Sequence, residues 1–265
     1  MKTLAVIPAR FGSTRFPGKP IAPIRGRPMI EWVYRRTVAA RCLDDVIVAT
    51  DDRRIMEAVE RFQGDAVMTD SGHSSGTDRV AEVIRELECD LVVNVQGDEP
   101  LIKADMIEEA VKLLREDKSA DMSTLASPAE RSEVNSRDTV KVVLNKKDYA
   151  LYFSRALIPA AAGDKKIERE ACGEHNREKE GQRADFLQHI GLYVFRREFL
   201  LKFTEWDSTP LEKRESLEQL RALENGHRIK IARVNHHGPG VDRPEDIEKV
   251  ETILRQEGIN GELEG

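Results

Sequence analysis

The first half of the chain alternates short apolar runs with helical patterns, and this rhythm limits the possible folds more than any other feature. The apolar runs at Thr3–Ile7, Asp45–Thr50 and Asp90–Val95 lack polar alternation, which is typical of strands buried on both faces. Helical stretches such as RRIMEAVERF and TDRVAEVIREL follow such runs. Strands that alternate with helices form parallel sheets through right-handed crossovers. The sequence therefore predicts an α/β fold with a doubly wound, mostly parallel, Rossmann-like sheet.

The rhythm changes after about Ser127. VKVVLN, YALYFS and HIGLYVFR are strand candidates with less helix between them, and RIKIARV is another. A leucine stripe in PLEKRESLEQLRALENG predicts one helix that ends near Gly226. The charged stretch Gly163–Asp185 has no apolar periodicity, which indicates a loop. We expect one domain over residues 1–265, with an inserted, smaller α+β subdomain at about 127–228 that shares the same sheet.

Composition excludes several classes of protein. The chain has 42 Lys and Arg against 48 Asp and Glu, a net charge of −6, so it has no basic footprint for nucleic acid. Cys42, Cys89 and Cys172 are far apart and odd in number, which excludes a disulfide framework and suits a reducing compartment. No apolar run reaches the ~18 residues of a membrane span, and the apolar start is too short for a signal peptide. We expect a cytoplasmic protein without membrane insertion.

The loop after the first strand, IPARFGSTRFPGKPIAPI, carries three cations among glycines and prolines. It is neither a G-x-G-x-x-G fingerprint nor a Walker A loop, because five residues separate its glycines and Pro20 follows Lys19. Its prolines predict an extended conformation. Arg15 can bind two phosphate oxygens and Lys19 supplies a compact charge. A solvated surface loop explains the composition about equally well, but the position at a strand's carboxyl end favours a phosphate chain.

Two aspartates are candidate ligands for Mg²⁺, which prefers a few carboxylates together with phosphate oxygens and water. Asp98 follows the fourth strand, where Gly97 permits a sharp turn; the alternative is an ordinary turn residue. Asp242, in GPGVDRPED, has Glu245 three residues later, which is the pattern of a helix capping box. The sequence alone favours the cap for Asp242, and a carboxylate with two oxygens can serve both purposes.

A second polar loop, SGHSSGTDR, opens a predicted helix with Thr77 as its expected cap. Ser75, Gly76 and Thr77 could present N–H and hydroxyl groups to a base or ribose, with Arg79 behind them. A plain helix-start loop explains the segment nearly as well. Asp51, after the second strand, lies too far along the chain for the ribose-binding acid of a dinucleotide fold, so a helix cap is its default role.

These motifs together resemble the sugar-activating cytidylyltransferases. Arg15 and Lys19 keep the R-x-x-x-K spacing of that family's signature loop, and Gly12 precedes them. Further matches follow in order along the chain: VATDD, SGTDR, NVQGDEP, VKVVLN, YALYFSRA, HIGLYVF, TPLEKRESLEQLR and VDRPED. Their set most closely resembles the family members that act on 3-deoxy-manno-octulosonate (Kdo). The resemblance covers nearly the whole chain except Gly163–Asp185.

The resemblance implies a nucleotide-diphospho-sugar transferase fold and transfer of CMP from CTP to the anomeric hydroxyl of Kdo, for lipopolysaccharide biosynthesis. It also implies a homodimer formed through the second half and Mg²⁺ held by Asp98 and Asp242. The implied nucleotide-binding residues are Arg10, Ser13, Arg15, Lys19, Ser75, Gly76, Thr77, Arg79 and Gln96, and the catalytic ones are Arg10, Arg15, Lys19 and Asp98. The implied sugar-binding residues are Arg155, His189, Tyr193, Glu212 and Gln219.

More ordinary roles exist for the sugar-side residues. His189 and Tyr193 could be core residues of a strand, and Glu212 opens a helix, where the dipole favours an acid. His236 and His237 are adjacent and face opposite ways in an extended segment, so we do not expect them to bind a ligand together.

Two other functions stay open. A cytidylyltransferase for another acidic sugar, such as sialic acid or 8-amino-Kdo, would keep the same loop; TPLEKRESLEQLR and FSRA favour Kdo. A non-catalytic nucleotide-binding regulatory domain would keep the loop cations but would not need both Asp98 and Asp242.

Overall fold

The computed structural model describes residues 1–13, 15–129, 133–160, 186–235 and 238–258. The charged stretch 163–185, Cys172 and the pair His236 and His237 lie outside the described residues, so the predictions made for them are not tested. Within the described part of the chain, no helix is both long enough and apolar enough to cross a membrane.

Within the described residues, one nine-stranded sheet runs through both halves of the chain. Its main path has the order β11-β7-β10-β6-β1-β4-β5, and β8 and β9 extend it beside β10. The strands are β1 Thr3–Ala9, β4 Asp45–Thr50, β5 Asp65–Met68, β6 Leu91–Val95, β7 Met122–Pro128, β8 Lys141–Leu144, β9 Ala150–Ser154, β10 Leu187–Arg196 and β11 Ile229–Arg233. A small hairpin joins β2 Pro23–Ile24 to β3 Arg27–Pro28.

The main path is parallel except for one strand. β1 pairs in parallel with β4 and β6, and β4 with β5. β11 pairs in parallel with β7. β10 runs antiparallel to both β6 and β7. The predicted α/β fold with a mostly parallel sheet is confirmed, and the second half shares the sheet of the first.

In the part of the chain that the structure describes, the helices are α1 Met29–Val38, α2 Arg53–Arg61, α3 Gly76–Arg85, α4 Ala104–Glu116, α5 Arg197–Phe203, α6 Pro210–Glu215, α7 Leu220–Glu224 and α8 Asp246–Gln256. α2 and α3 lie close to the positions predicted from RRIMEAVERF and TDRVAEVIREL, whereas α5 was not predicted. The single long helix predicted near residues 210–226 is wrong. Ser216 adopts a left-handed conformation with φ 54, which separates α6 from α7 because L-residues do not continue a right-handed helix there.

Apolar side chains fill both sides of the sheet, and a smaller cluster lies under α8. The members of this smaller cluster are Ile24, Met29, Trp32, Leu101, Val241, Val250 and Leu254. It joins the C-terminal segment to the first hairpin and to the loop after β6. The packing therefore holds the end of the chain across the loops that follow β1 and β6.

Candidate active site

The loop after β1 folds back on Phe11. The carbonyl oxygen of Phe11 accepts the backbone N–H groups of Ser13 and Gly18, both at 2.9 Å. Gly18 has φ 74, and a Cβ there would lie 3.0 Å from the Phe11 ring, so this turn requires glycine. Arg54 of α2 stacks its guanidinium on the Phe11 ring, with Cζ 3.3 Å from the ring centroid. The loop is thus a defined structure.

The prolines do not keep this whole loop extended, so that part of the prediction is wrong. Lys19–Ile21 forms a 3₁₀ turn that contains Pro20. The N–H of Ile21 donates to the Gly18 carbonyl at 3.0 Å. Proline is tolerated in a first helical turn because its missing N–H is not needed there. The turn directs Lys19 towards the loop after β6.

Lys19 and Asp98 meet at the ends of two neighbouring strands. Lys19 Nζ lies 2.5 Å from Asp98 Oδ2 and donates to the Val241 carbonyl at 2.8 Å. The turn before Asp98 is tight, since a Cβ on Gly97 would lie 2.8 Å from the Pro8 carbonyl oxygen. Gly97 therefore lets the acidic loop pack against the end of β1.

Asp242 joins the same cluster from the C-terminal segment. Its carboxylate lies 3.8 Å from Lys19 Nζ and 3.4 Å from Arg15 Nη1. The capping role that the sequence favoured for Asp242 is wrong. α8 begins at Asp246, whose Oδ2 accepts the backbone N–H groups of Asp242 at 3.1 Å and Arg243 at 3.0 Å. Because Asp246 binds the backbone, the Asp242 side chain faces the cations.

These groups surround a cavity of about 280 Å³, which we call the nucleotide cavity after the ligand that the sequence analysis predicts for its residues. Cations line one part of it and the start of α3 lines another. Its lining includes Arg10, Ser13, Arg15, Lys19, His73, Ser75, Gly76, Arg79, Gln96, Asp98 and Asp242. Every residue predicted to bind the nucleotide is in this lining except Thr77.

The start of α3 differs from its predicted form. Ser75, not Thr77, caps the helix: Ser75 Oγ accepts the N–H of Asp78 at 3.1 Å, and Asp78 Oδ2 accepts the N–H of Ser75 at 3.1 Å. Thr77 is buried. Its hydroxyl donates to Glu218 Oε2 at 2.7 Å. Ser75 Oγ also donates to Glu218, at 3.1 Å, so Glu218 connects the start of α3 to the segment between α6 and α7.

Arg79 lines the nucleotide cavity, but its guanidinium also has protein partners. It binds Asp51 Oδ2 at 2.8 Å and the hydroxyl of Thr69. Asp52 caps α2 through the N–H of Arg54. The Asp51 carboxylate is thus a partner of Arg79, and the cap belongs to its neighbour.

His73 lines the nucleotide cavity and was not singled out from the sequence. Its Nε2 contacts Glu82 Oε2. Glu82 also accepts the backbone N–H of Asp70, and the hydrogen bond from His73 lowers the pKa of the Glu82 carboxyl. One carboxylate of α3 thus fixes both ends of the turn at residues 70–73. Sequence spacing gave no signal for this contact, because His73 and Glu82 occupy different types of structure.

A second, larger cavity of about 1260 Å³ lies beside the first, and we call it the acceptor cavity. Three predicted sugar-side residues, His189, Tyr193 and Gln219, line it. Tyr193 donates its hydroxyl to Gln219 Oε1 at 3.1 Å, and burial raises the pKa of Tyr193. Gln219 is 3% exposed, and its Nε2 has no hydrogen-bond partner among the described residues. A buried, unpaired amide donor is costly, so this cavity is suited to a ligand with oxygen acceptors.

Arg155 and Glu212 do not line the acceptor cavity. Arg155 donates its Nε to the Glu215 carbonyl at 3.1 Å and its Nη1 to the Arg137 carbonyl at 3.1 Å. Glu212 is buried and receives Arg221 through Nε at 2.9 Å and Nη2 at 2.5 Å. The structure therefore places Glu212 in an ion pair that holds α6 to α7, and a sugar-binding role for it stays a prediction.

The two cavities adjoin. A Cβ on Gly191, in the acceptor cavity, would lie 3.6 Å from Gln96 Cγ, in the nucleotide cavity. A Cβ on Gly240, also in the acceptor cavity, would lie 3.4 Å from the Asp98 carbonyl oxygen. A molecule in the acceptor cavity can thus approach the cluster of Lys19, Asp98 and Asp242.

The acids of the cluster fit a hard cation that is coordinated by carboxylates and by the oxygens of a bound phosphate. No group of three or more His, Cys, Asp or Glu side chains within the described ranges forms a complete metal cage. Asp98 and Asp242 provide two carboxylates that converge on one ammonium group. Mg²⁺ uses one or two carboxylates together with phosphate oxygens and water, so the donor set suits it.

Comparison with known proteins gives a consistent result. Residues 4–230 match the family model described as cytidylyltransferase. The chain is 47% identical over 260 residues to the 3-deoxy-manno-octulosonate cytidylyltransferase of Syntrophotalea carbinolica, covering 96% of this chain and 99% of that protein. It is 48% identical over 254 residues to the protein of that name from Geobacter sulfurreducens, covering 94% and 98%.

Among solved structures, one of CMP:2-keto-3-deoxy-manno-octonic acid synthetase complexed with CTP superimposes with a TM-score of 0.87 at 40% identity. The superposition covers 97% of this chain and 100% of that one. A 4-diphosphocytidyl-2C-methyl-D-erythritol synthase from Anaerococcus prevotii superimposes with a TM-score of 0.60 at 15% identity and covers 96% and 98%. The latter similarity concerns the fold alone.

Proposed function

This chain belongs to the 3-deoxy-manno-octulosonate cytidylyltransferase family, and we propose that it transfers CMP from CTP to the anomeric hydroxyl of Kdo with Mg²⁺ as cofactor. The products are CMP-Kdo and pyrophosphate, and the general role of this activity is lipopolysaccharide biosynthesis. The observation that carries the proposal is the pair of adjoining cavities. One is lined by cations and acids suited to a magnesium triphosphate. The other includes His189, Tyr193 and Gln219, which can form hydrogen bonds with a sugar.

The loop after β1 neutralises the triphosphate. Arg15 and Lys19 bind the β- and γ-phosphates, and Arg10 faces the α-phosphate. The nucleoside lies towards the start of α3, where Ser75, Gly76 and Gln96 line the cavity. Phosphoryl-type transfer depends mainly on positioning and charge stabilisation, since negative charge develops on the leaving oxygens.

The reaction is a direct displacement. The anomeric oxygen of Kdo forms a bond to the α-phosphorus, and the bond to the bridging oxygen of pyrophosphate breaks in line with it. The hydroxyl proton is released as the new bond forms. The contact between Gly191 and Gln96 brings the acceptor cavity beside the nucleotide cavity, which supports attack without a covalent enzyme intermediate.

Asp98 and Asp242 would hold Mg²⁺, which when bound supplies charge neutralisation at the phosphate oxygens. Lys19 keeps both carboxylates near the loop after β1, because its ammonium lies 2.5 Å from Asp98 and 3.8 Å from Asp242. Asp246 orients the backbone at Asp242.

The acceptor cavity binds the hydroxyl groups of Kdo through the hydrogen-bonding side chains of its wall. Gln219 Nε2 donates to a sugar oxygen, and Tyr193 orients the Gln219 amide. His189 lines the same wall and contacts Thr124 Oγ1 at 2.9 Å. Arg155 supplies a cation beside this wall for the sugar carboxylate, as its Nη2 makes no hydrogen bond within the described residues.

The test is pyrophosphate release from CTP, with and without Mg²⁺, in the presence of Kdo, 8-amino-Kdo or sialic acid. We expect release with CTP and Kdo and much slower release with UTP or ATP. Faster turnover with another acidic sugar than with Kdo would show that this other sugar is the preferred substrate. Binding of CTP without pyrophosphate release with any of these sugars would instead support a regulatory nucleotide-binding domain.

The proposal also includes a cytoplasmic homodimer. Cys42 and Cys89 are free thiols, which suits a reducing compartment. Among the described strands, β9 pairs only with β8, and its Leu151 is 59% exposed, which supports dimer formation through the second half. Light scattering after size-exclusion chromatography tests this: Leu151→Asp should shift the mass from that of a dimer towards that of a monomer, and a wild-type monomer would contradict it.

A further inference from the structure

Lys141, at the start of β8, is a completely buried cation that the mechanism above does not use. Its side chain is 0% exposed. Its Nζ donates to the backbone carbonyls of Ser136 at 2.7 Å, Thr139 at 2.7 Å and Arg155 at 2.8 Å. These three bonds use all three ammonium protons. None of the acceptors is a carboxylate, so the charge is solvated entirely by backbone dipoles.

Arg155, the residue that follows β9, completes the same arrangement. Its Nη1 donates to the carbonyl of Arg137, which lies between two of the carbonyls that Lys141 binds. Its backbone N–H and Nε both bind Glu215, at 3.0 Å and 3.1 Å. The loop of residues 136–139 therefore has three backbone carbonyls that accept hydrogen bonds from two cations: those of residues 136 and 139 from Lys141, and that of residue 137 from Arg155. Such a loop cannot change conformation without breaking charge-assisted hydrogen bonds.

This loop forms part of the wall of the acceptor cavity. Asp138 and Thr139 line the cavity together with His189, Tyr193 and Gln219. The two cations repel each other, and desolvation together with Arg155 lowers the pKa of Lys141. An anionic ligand near Arg155 would reduce that repulsion. Lys141 is thus connected to the wall and to the predicted carboxylate-binding residue through the backbone.

We propose that Lys141 is a positioning residue of the acceptor site, which fixes the loop at 136–139 and the backbone of Arg155 so that both can receive an acidic sugar. The inference rests on the proposed function, since it assumes that the acceptor cavity binds Kdo. Lys141 itself does not touch the substrate. Its contribution is to affinity for the sugar, and it leaves the nucleotide cavity unchanged.

Lys141→Met tests this, because methionine has a similar length and no charge. We expect the KM for Kdo to rise at least about tenfold, while the KM for CTP stays within about twofold. Lys146→Met is the matched control: Lys146 is an exposed lysine five residues later, and its loss should change neither KM. In a double-mutant cycle with Arg155→Gln, the effects on the KM for Kdo should be less than additive, because both changes act on one unit.

A purely structural role gives a different result. If Lys141→Met only lowers the folded fraction, kcat falls and both KM values stay the same, which overturns the proposal. Equal rises in both KM values also overturn it. If the variant does not fold by circular dichroism, Thr139→Gly decides instead: it loosens the same loop, and an unchanged KM for Kdo overturns the proposal. Failure of the proposed function is distinguished by the wild-type protein, which would then show no turnover with Kdo.

Discussion

Lys19 and Asp98 are 79 positions apart in the chain, yet Lys19 Nζ lies 2.5 Å from Asp98 Oδ2. The contact joins the loops that follow two neighbouring parallel strands, β1 and β6. The Lys19 side chain is 11% exposed and that of Asp98 is 36% exposed, so solvent screens the pair only in part. Asp242 enters from a third segment, at the other end of the chain. The fold thus places one cation among two acids that no short motif contains.

Asp98→Asn should reduce turnover at least about a hundredfold, because it removes a charge from the centre of the site while preserving the shape of the side chain. Steady-state pyrophosphate release with saturating CTP, Kdo and Mg²⁺ measures the effect. Circular dichroism should be unchanged. Asp207→Asn is the control, since Asp207 is exposed and far along the chain from the cluster. Near-normal turnover of Asp98→Asn would show that Asp98 does not hold the metal.

Gly97→Ala should both destabilise the protein and lower its activity. The added Cβ would lie 2.8 Å from the Pro8 carbonyl oxygen, which is backbone and cannot rotate away. We expect a loss of about 1–3 kcal/mol in the free energy of unfolding, and lower kcat because Asp98 is displaced. Gly12→Ala is the stability control, since a Cβ at Gly12 meets no atom within 4 Å. Equal unfolding free energies for the two variants in urea titrations would contradict this account.

Local pattern was sufficient to predict most elements of the sheet. β4 at Asp45–Thr50 has the predicted bounds, because a short apolar run without polar alternation is typical of a strand buried on both faces. The positions of Arg15, Lys19 and Asp98 at one edge of the sheet were also predictable, because all three follow parallel strands and the carboxyl ends of such strands share that edge.

Contacts between distant segments explain what the sequence did not predict. The leucine stripe favoured one helix near 210–226, but Glu212 pairs with Arg221 and Glu218 bonds to Ser75 and Thr77. The break at Ser216 accompanies those contacts, and none of the partners is visible in the local pattern. Likewise, the spacing of Asp242 and Glu245 is that of a capping box, but in the structure Asp246 accepts the backbone N–H groups of residues 242 and 243 instead.

Glu82→Gln should weaken CTP binding without affecting Kdo. Glu82 holds the His73 ring and the Asp70 N–H at the edge of the nucleotide cavity. A neutral amide weakens the contact with His73, so the turn becomes more mobile. The KM for CTP should then rise about three- to tenfold, which corresponds to a loss of about 1 kcal/mol in binding free energy. Glu86→Gln, an exposed change at the end of the same helix, is the control. If only the KM for Kdo rises, the turn at 70–73 supports sugar binding and our assignment of it to CTP binding is wrong.

Asp117 makes stability depend on pH at the edge of the sheet. Hydrogen bonds from the hydroxyls of Tyr149 and Ser119 lower the pKa of Asp117 to about 2. An unfolded aspartate has a pKa of about 3.9. Since the folded pKa is the lower one, the ionised form stabilises the fold above about pH 4, and this stability is lost as pH falls from about 4 to about 2.

Tyr149→Phe removes the largest cause of that shift. The folded pKa of Asp117 then moves towards the unfolded value, so the variant should be about 1–2 kcal/mol less stable than the wild type at pH 6. The difference should shrink as pH falls through 4 and become smallest below about pH 2, because Asp117 is protonated in both folded proteins only below its wild-type pKa of about 2. Urea unfolding at several pH values measures it. Tyr34→Phe is the matched control, since the Tyr34 hydroxyl accepts a backbone N–H from Asp65; its stability loss should not follow this profile. A Tyr149→Phe deficit that stays constant from pH 6 to pH 2 would mean that the hydroxyl acts through packing and not through the charge of Asp117.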